Sequence, residues 1–412
     1  MRVSFLPRIA RSSLFLLLTY GFNGSPTPTS DGKVFDVINP TTQQVVTHAT
    51  SATWEDVELA ITEVEKAQPA LEGLSPLARR HILMTPSQLL VSDCVRHQRG
   101  ELHPEGTVLV EKRAHGTGFA TTPFNAPIIL AGRAIAMPLI YGNSVVLKSS
   151  GLNPRSSEII VEALYEASLP EGVLNFVHIS RENSPKFITD IIKHPFIRHI
   201  NFTGNDRVGR IIAQEAGKYL KPCVLELSGK NPTVVCISNE RVIVQKGAAD
   251  ALREALVRIV KKILPDAKSR GAEVILGDLT RQGAFLKPHI VLGVEPESRL
   301  WEEESFGPVF GIKIVDTEEE AIQFANFRDY SSMATLFTKD IVKDLKLSRR
   351  IRAGLVTLNG STSAWEPSLG VHGLGGGTRY GDFDVDNFTQ QRFIVIAIAW
   401  DGKDLPIIIK DF

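Results

Sequence analysis

The sequence predicts an α/β protein built on a doubly wound, parallel sheet, with a second α/β region behind it. Short apolar runs alternate with helical patterns from Pro127 to Gly229, and strands that alternate with helices require right-handed crossovers between parallel strands. A second alternation of the same kind continues to Phe327. The chain has 412 residues, of which 43% are hydrophobic and 22% are charged, so it can bury the cores of two or three domains.

One amphipathic helix is predicted ahead of the sheet. Thr53 and Asp56 have the spacing of a capping box, and apolar residues then repeat at helical spacing at Val57, Ala60, Ile61 and Val64. Strands are predicted further on at Ser144 to Lys148, Val173 to Ile179, His199 to Thr203 and Cys223 to Leu227. Helices are predicted after Pro154, from Ser184, and through Gly209 to Tyr219. Parallel sheets of this kind bind ligands at the carboxyl ends of their strands.

The second α/β region is predicted from the same signals. It has a helix near Ala249 to Lys262, strands at Glu273 to Leu276 and Phe310 to Val315, and a helix from Thr317 to Phe327. It ends in a glycine-dense loop, Gly370 to Gly381, and an apolar, β-prone tail, Phe393 to Ile409. No internal repeat or long low-complexity linker separates the two regions, so we expect them to pack against each other.

Charge and cysteine usage exclude several classes of function. Lys plus Arg equals Asp plus Glu at 46 each, so neither the whole chain nor any long basic run attracts nucleic acid. The three cysteines, Cys94, Cys223 and Cys236, are odd in number and widely spaced, which favours a reducing compartment over a disulfide framework. No Cys or His pair has metal-ligand spacing, so no metal is expected.

The amino-terminal segment allows two interpretations. Arg2, Arg8 and Arg11 precede the apolar run Leu14 to Leu18, and no acidic residue occurs before Asp31, which resembles a mitochondrial presequence or a signal peptide. The same run is typical of an opening β-strand. It is too short to span a membrane. The expected compartment is therefore the cytoplasm, with a presequence as the alternative.

Two segments at the predicted sheet edge are candidates for ligand binding. Thr203 to Gly209 lies between a strand and a helix, where small residues let backbone N–H groups approach a phosphate. A capped turn without a ligand fits equally, because the segment lacks the G-x-G-x-x-G pattern. Lys148 closes the apolar strand Val145-Val146-Leu147 and should emerge at the ligand-binding edge. A solvated lysine at a strand end is the alternative.

Three further residues carry groups that can do chemistry. Glu226 is an acid embedded in an apolar strand, which suits a carboxylate to general-base work; a structural pair with Lys230 is the alternative. Cys236 follows two valines and is either an inert core residue or a nucleophile. Asn125 lies between prolines in a predicted turn.

In this order, six segments resemble the aldehyde dehydrogenase superfamily, nearest its aromatic-aldehyde (vanillin- or salicylaldehyde-like) members. The pairs of matching segments are Pro123 to Pro127 with P-W-N-x-P, Val145 to Lys148 with V-V-L-K, Phe202 to Gly209 with F-T-G-S-x-x-V-G, Leu225 to Pro232 with L-E-L-G-G-K-x-P, Glu303 to Val309 with E-E-x-F-G-P-V, and Leu358 to Gly360 with the later N-G turn. In addition, Cys236 to Val244 matches the family stretch that begins at its catalytic cysteine. Six ordered motifs make a chance likeness very improbable.

The resemblance implies a role for each matching residue. Cys236 is the nucleophile, which forms a thiohemiacetal and then a thioester, Glu226 activates the water that hydrolyses the thioester, and Asn125 donates to the developing oxyanion. The cofactor is NAD or NADP, and the implied contacts are Lys148 with the adenosine ribose, Gly204, Asn205 and Val208 with the pyrophosphate, Glu304 with the nicotinamide ribose, and Phe306 near the nicotinamide. Gly151 stands where the family often has a glutamate that disfavours a 2′-phosphate, so the choice between NAD and NADP stays open.

The resemblance also implies a domain plan. A Rossmann-like NAD(P)-binding domain covers 31–228, interrupted near 104–115 by an oligomerisation arm, and a catalytic domain covers 229–383. Residues 384–412 form an oligomerisation tail, and residues 1–30 are a poorly defined amino-terminal segment. A homodimer or homotetramer is expected, in which Val108 to Val110 and Phe393 to Ile396 have the strand propensity that pairing needs. The other expected partner is a small aldehyde substrate.

The sequence departs from the family in four further places. Glu226 and Cys236 are only ten positions apart, where the family has a helix and a glycine-rich approach to the nucleophile, and the stretches Leu90 to Leu102 and Leu264 to Gly271 are also shorter. Ser228 replaces a glycine next to the glutamate strand, and its Cβ is expected to crowd close backbone packing. The leading hypothesis is an active oxidoreductase. The alternatives are a catalytically impaired binding or assembly subunit, a truncated gene model, or a chain that does not fold stably.

Overall fold

The computed structural model shows the fold of most of the chain. It describes residues 17–18, 20–22, 25–27, 29–39, 42–84, 98–100, 106–228, 231–232, 239–245, 273–277, 281–282, 285–296, 298–302, 304, 308–327, 329–330, 332–338, 340–360 and 378–397. Several sequence predictions lie wholly or partly outside these residues, among them the helix near Ala249 to Lys262, the nucleophile Cys236, the nicotinamide contact Phe306, most of the glycine-dense loop and the end of the apolar tail.

The amino-terminal part supplies small strands and two helices. The elements are β1 (Leu17–Leu18), β2 (Tyr20–Phe22), β3 (Ser25–Thr27), β4 (Val34–Ile38), β5 (Val45–Thr50), α1 (Trp54–Gly73), α2 (Pro76–Met84), β6 (Gln98–Gly100) and β7 (Gly106–Ala114). The capping box is confirmed: the Thr53 hydroxyl accepts from the Asp56 amide at 3.2 Å, and the Asp56 carboxylate accepts from the Thr53 amide at 2.9 Å. These paired bonds fix the residue at which α1 begins.

Five parallel strands and four helices follow and form the centre of the molecule. They are β8 (Thr117–Thr121), α3 (Pro127–Ile140), β9 (Ser144–Lys148), α4 (Pro154–Glu166), β10 (Leu174–Val177), α5 (Ser184–Lys193), β11 (Ile197–Thr203), α6 (Asp206–Lys218) and β12 (Cys223–Glu226). The strand order β12-β11-β8-β9-β10 means that the chain first winds to one side of β8 and then to the other. The predicted doubly wound α/β fold is therefore confirmed, with a crevice between the carboxyl ends of β8 and β11.

The sheet buries apolar side chains on both faces. Phe119 and Val146 point into a core with α1, α5 and α6. Their chain neighbours Ala120 and Val145 point into a second core with α3 and α4. Side chains of consecutive strand residues alternate between the faces, so near-continuous apolar strands are what a sheet covered on both sides requires.

The second α/β region is built around a smaller sheet with the order β13-β14-β19-β18-β15. Its elements and their neighbours are β13 (Asn231–Pro232), β14 (Asn239–Gln245), β15 (Glu273–Leu276), β16 (Arg281–Gln282), β17 (Phe285–Leu286), β18 (His289–Leu292), α7 (Arg299–Glu302), β19 (Val309–Val315), α8 (Glu318–Ala325), β20 (Met333–Leu336), α9 (Ile341–Ser348) and β21 (Leu355–Leu358). The strands and the helix predicted between Glu273 and Phe327 are confirmed, with ends that move by at most two residues.

The last elements return to the first half of the chain. They are β22 (Arg379–Tyr380), α10 (Val385–Phe388) and β23 (Thr389–Ala397). β22 runs antiparallel to β12 at one edge of the central sheet, where Arg379 lies opposite Glu226. β23 runs antiparallel to β7 along nine residue pairs, including Phe393 with Val110 and Val395 with Val108. The strand propensity predicted for these two segments is thus realised as pairing within one chain.

Candidate functional site

The residues predicted for the site converge on the carboxyl edge of the central sheet. Lys148 lies opposite Thr121 on the neighbouring strand, and Thr121 lies opposite Phe202. Thr203, the next residue, lies opposite Glu226. Because adjacent strands are about 4.8 Å apart, Lys148 and Glu226 are separated along this edge by about 14 Å. This spacing leaves room for an extended ligand to cross the ends of β8 and β11.

Lys148 is a buried cation, contrary to the solvated alternative. The residue is 7% exposed, and its Nζ donates to the backbone carbonyl of Ser149 at 3.0 Å. Burial lowers the pKa of Lys148 to about 8. Within the described ranges no carboxylate forms an ion pair with it. A buried amine at the end of a strand, short of acceptors, is suited to bind the hydroxyl groups of a ligand.

The turn from β11 to α6 caps the helix and has a glycine at its tightest point. The Asn205 side chain accepts from the Val208 amide at 2.9 Å, so the capped turn exists as predicted. A Cβ on Gly204 would lie 2.6 Å from the Phe202 ring, so only glycine fits there without a shift. The Ser228 hydroxyl accepts from the Asp206 amide at 3.3 Å. The Ser228 side chain thus contributes to the start of α6.

These features fit the dinucleotide that the resemblance implies. The amide of Gly204 donates to the Glu226 carbonyl at 2.9 Å, and those of Asp206 and Val208 donate to nearby side chains. The amino terminus of α6 therefore offers a phosphate chiefly its positive helix end. The buried Lys148 lies two strands away on the same edge and offers a donor. Gly151 follows β9, and a Cβ placed there would meet the Phe35 ring at an ordinary 3.5 Å. No group at this position of the described structure distinguishes NAD from NADP.

Glu226 is half-buried and ion-paired. It is the last residue of β12 and the first of that strand to emerge from the core, with 31% of its side chain exposed. Its carboxylate accepts from Nη2 of Arg133, which projects from α3. The expected partner Lys230 lies outside the described residues. The pairing with Arg133 was not predicted, although an arginine in the apolar run of α3 is a signal that sequence reasoning could have used.

Asn125 is placed by the start of the same helix. It lies in the bend between β8 and α3, two residues before Pro127, and is exposed. The preceding carbonyl, that of Phe124, accepts from the Asn153 side chain at 2.7 Å, which ties this bend to the start of α4. Asn125 thus lies in the bend directly before α3, and Arg133 lies within that helix. Glu304 is half-buried in the second region, and no distance in the described structure links it to Glu226.

The described part of the chain also bears on membrane crossing and metal binding. None of its helices is long and apolar enough to cross a membrane. Among those same residues no three His, Cys, Asp or Glu side chains are grouped so that they could hold a metal ion.

Comparison with known proteins identifies what this arrangement resembles. The model of the aldehyde dehydrogenase family matches residues 27–97, 91–237 and 257–394. A vanillin dehydrogenase from Pseudomonas fluorescens is 29% identical over 90% of this chain and 96% of its own length. A D-glyceraldehyde dehydrogenase (NADP(+)) from Thermoplasma acidophilum is 27% identical over 92% and 95%. The crystal structure of a salicylaldehyde dehydrogenase from Pseudomonas putida G7, complexed with salicylaldehyde, superposes with a TM-score of 0.81 at 25% identity, over 95% of this chain and all of that one.

The same comparison bears on the shortened segments. The alignment with the vanillin dehydrogenase runs over 465 positions, more than the 412 residues of the whole chain, so this chain has gaps relative to that protein. Two matched segments of the family model overlap at 91–97, inside the stretch that the sequence marks as shortened, and residues 238–256 lie between the second and third segments. The order of the motifs, the α/β fold and the match over most of the chain lead to one conclusion: the chain is an oxidoreductase that belongs to the aldehyde dehydrogenase family.

Proposed function

We propose that this chain oxidises an aromatic aldehyde to its carboxylic acid with NAD+ or NADP+. The observation that carries the proposal is the common edge of the sheet, which holds Lys148, the Gly204 turn and Glu226, with Asn125 at the start of the adjoining helix. Aromatic aldehydes are chosen because relatives named for vanillin and salicylaldehyde match nearly the whole chain.

In the first half of the reaction Cys236 is the nucleophile. Its thiolate attacks the aldehyde carbon and forms a thiohemiacetal, whose oxygen takes up the negative charge. The exposed Asn125 side chain at the end of β8 donates to that oxygen, and a donor placed in advance stabilises charge that exists only in the adduct. When bound, the nicotinamide cofactor accepts the hydride that leaves the adduct. Cys236 is then acylated as a thioester.

In the second half Glu226 acts as the base. It takes a proton from a water molecule, whose oxygen attacks the thioester and expels the Cys236 thiolate as the acid forms. Lys148 holds the adenosine ribose, and the turn at Gly204, Asn205 and Val208 borders the pyrophosphate. Glu304 and Phe306 are assigned to the nicotinamide end. In this assignment residues 31–228 bind the cofactor and residues 229–383 carry the catalytic half.

The proposal includes assembly and location. The strands β23 and β7 form a three-stranded sheet with β6, and Phe393 on its outer strand is 61% exposed. An exposed apolar edge strand is suited to pairing with a second copy. We therefore assign the chain a homodimer or homotetramer built through this arm, working in the cytoplasm.

The test is NAD(P)H formation by purified protein over a panel of aromatic and aliphatic aldehydes. We expect turnover that favours the aromatic members and falls by at least about a thousandfold in Cys236→Ala, since the thiolate carries the covalent step. Cys223→Ala is the matched control, because burial raises the pKa of the Cys223 thiol to about 11 and keeps it unreactive. Cooperative unfolding and light scattering on the same sample report folding and assembly. No turnover in folded protein would contradict the proposed function, and a clean monomer would contradict the assembly.

A further inference from the structure

We propose that Arg133 is a positioning residue that fixes the orientation of the Glu226 carboxylate, the base of the deacylation step. This inference rests on the proposed function and assigns a further residue to it. Arg133 lies on α3, and Nη2 of its guanidinium donates to Glu226 at the carboxyl edge of the sheet. The side chain of Arg133 is 18% exposed and that of Glu226 is 31% exposed, so water still reaches the carboxylate.

The Arg133 guanidinium also contacts an aromatic ring. The ring of Phe383 lies with its centroid 4.8 Å from Cζ of Arg133, the geometry of a cation–π contact. Nε of Arg133 is buried and has no hydrogen-bond partner among the described residues. Glu226 is therefore the carboxylate that this cation serves in the described structure. Because the Arg133 guanidinium pairs with the half-exposed Glu226 carboxylate, it fixes the direction in which that carboxylate points.

Arg379, a second cation near Glu226, makes its direct contacts with other groups. Arg379 lies opposite Glu226 in the β12–β22 ladder, but its Nε donates to the Gly381 carbonyl at 2.5 Å and its Nη2 contacts Asp382. Asp384 adds a further negative charge near Arg379. Arg379 thus contributes to the local field, and Arg133 supplies the direct contact.

Arg133 is connected to Asn125, the proposed oxyanion donor, through the start of α3. Asn125 stands two residues before the helix, and Arg133 is the seventh residue of α3. At 1.5 Å per residue, the helical stretch from Pro127 to Arg133 spans about 9 Å. The residue that tethers the base is therefore fixed on the helix that directly follows the bend with Asn125.

The test isolates deacylation with 4-nitrophenyl acetate, which needs no cofactor. The Cys236 thiolate attacks the ester and releases nitrophenolate in a burst, and hydrolysis of the acetyl-enzyme by the water that Glu226 deprotonates sets the steady state. We expect Arg133→Met to keep the burst amplitude and to lower the steady-state rate about a hundredfold, the cost typical of a misplaced catalytic group. Arg133→Lys should recover about tenfold of that loss.

Two comparisons separate positioning from other roles. Arg155→Met is the matched control, because Arg155 forms its ion pairs with Glu158 and Glu162 on α4, and it should change neither phase. Arg133→Met should add nothing in a Glu226→Gln background, since both changes remove the same function. A burst that falls in parallel with the steady state, an unchanged steady state, or additive losses in the double variant would each overturn the inference. Wild-type protein without a Cys236-dependent burst would overturn the proposed function and this inference together.

Discussion

Burial of the Lys148 amine lowers the stability of the fold but places a hydrogen-bond donor at the ligand-binding edge of the sheet. Its amine is buried at the end of β9, and burial lowers its pKa to about 8. Because the pKa in the folded chain lies below the ordinary value, the unfolded chain binds more protons between pH 8 and about 10.4. The free energy of unfolding should therefore rise with pH through that interval. Below pH 8 the folded chain carries the full free-energy cost of burying the charged Lys148 amine.

Lys148→Met should consequently stabilise the cofactor-free protein at pH 7. A pKa depressed from 10.5 to about 8 corresponds to an upper limit on the order of 3 kcal/mol, and the gain should shrink toward pH 10. The same change should weaken NAD(P)+ binding about tenfold or more, because it removes the donor to the ribose. Denaturant unfolding at both pH values and calorimetric titration with NAD+ and NADP+ provide the measurements. Lys186→Met, at an exposed lysine on α5, is the control that should alter neither quantity.

The residues of the site divide into those that sequence could find and those that it could not. Lys148 and Glu226 end apolar strands, and that pattern places a side chain at the carboxyl edge whatever the details of packing. Arg133 was not predicted, because its role depends on which strand α3 packs against and on Phe383, some 250 positions along the chain. Only the folded arrangement brings those three side chains together.

The elements of the first half were predictable because their periodicity is strong. The strand at Ser144 to Lys148 was placed to the residue, and the helix predicted after Pro154 begins at Pro154 itself. β8, Thr117–Thr121, was missed although it lies at the centre of the sheet. Its sequence Thr-Gly-Phe-Ala-Thr is short and contains a glycine and two threonines, so neither alternation nor a continuous apolar run marks it. Its buried position is set by the strands on both sides.

The turn after β22 makes a prediction at the scale of one element. Gly381 has a φ of +74°, and a Cβ there would lie 2.8 Å from the Cys223 carbonyl oxygen. Gly293 has a similar φ of +72° but nothing within 4 Å of the added atom. Gly293→Ala should therefore cost only the strain of the left-handed backbone, about 1 kcal/mol. Gly381→Ala should cost about 2 to 4 kcal/mol, because β22 must also move away from β12.

Urea unfolding of the two glycine variants checks this difference. Both replacements add the same methyl group at the same backbone conformation, so the excess loss in Gly381→Ala measures the close approach of β22 to the strand that carries Glu226. Equal losses in the two variants would show that the turn relaxes without disturbing β12.

At the scale of the whole molecule, the carboxyl-terminal helix α10 packs against the central sheet. Phe388 of α10 is fully buried, and its ring lies 4.8 Å from that of His199 on β11. The carbonyl of Phe388 accepts from the Asn143 side chain at 2.9 Å. The sequence predicted β propensity in this tail but not its docking, because the contact joins residues nearly two hundred positions apart and leaves no local pattern.

This junction should make the stability of the protein fall in acid. Burial and the charge of His115 lower the pKa of His199 to about 3, and burial also lowers the pKa of His115. The two rings are stacked with centroids 5.8 Å apart. Since the unfolded histidines bind protons below about pH 6.5 and the folded ones do not, stability is complete above that pH and is lost as the pH falls toward 3. Each such histidine costs up to about 1.4 kcal/mol per pH unit in this window.

Replacing His199 by phenylalanine should therefore flatten the acid side of the stability profile. The substitution keeps an aromatic ring against Phe388 and removes one titrating group, and Nε2 of His199 has no hydrogen-bond partner among the described residues to lose. The quantity to compare is the slope of the unfolding free energy between pH 6.5 and 5, because a constant offset from repacking leaves that slope unchanged. His81→Gln, at an exposed position on α2, should keep the wild-type slope. An unaltered slope in His199→Phe would place the acid sensitivity elsewhere, whereas a shallower one would show that the tail is held to the sheet by a histidine that must stay neutral.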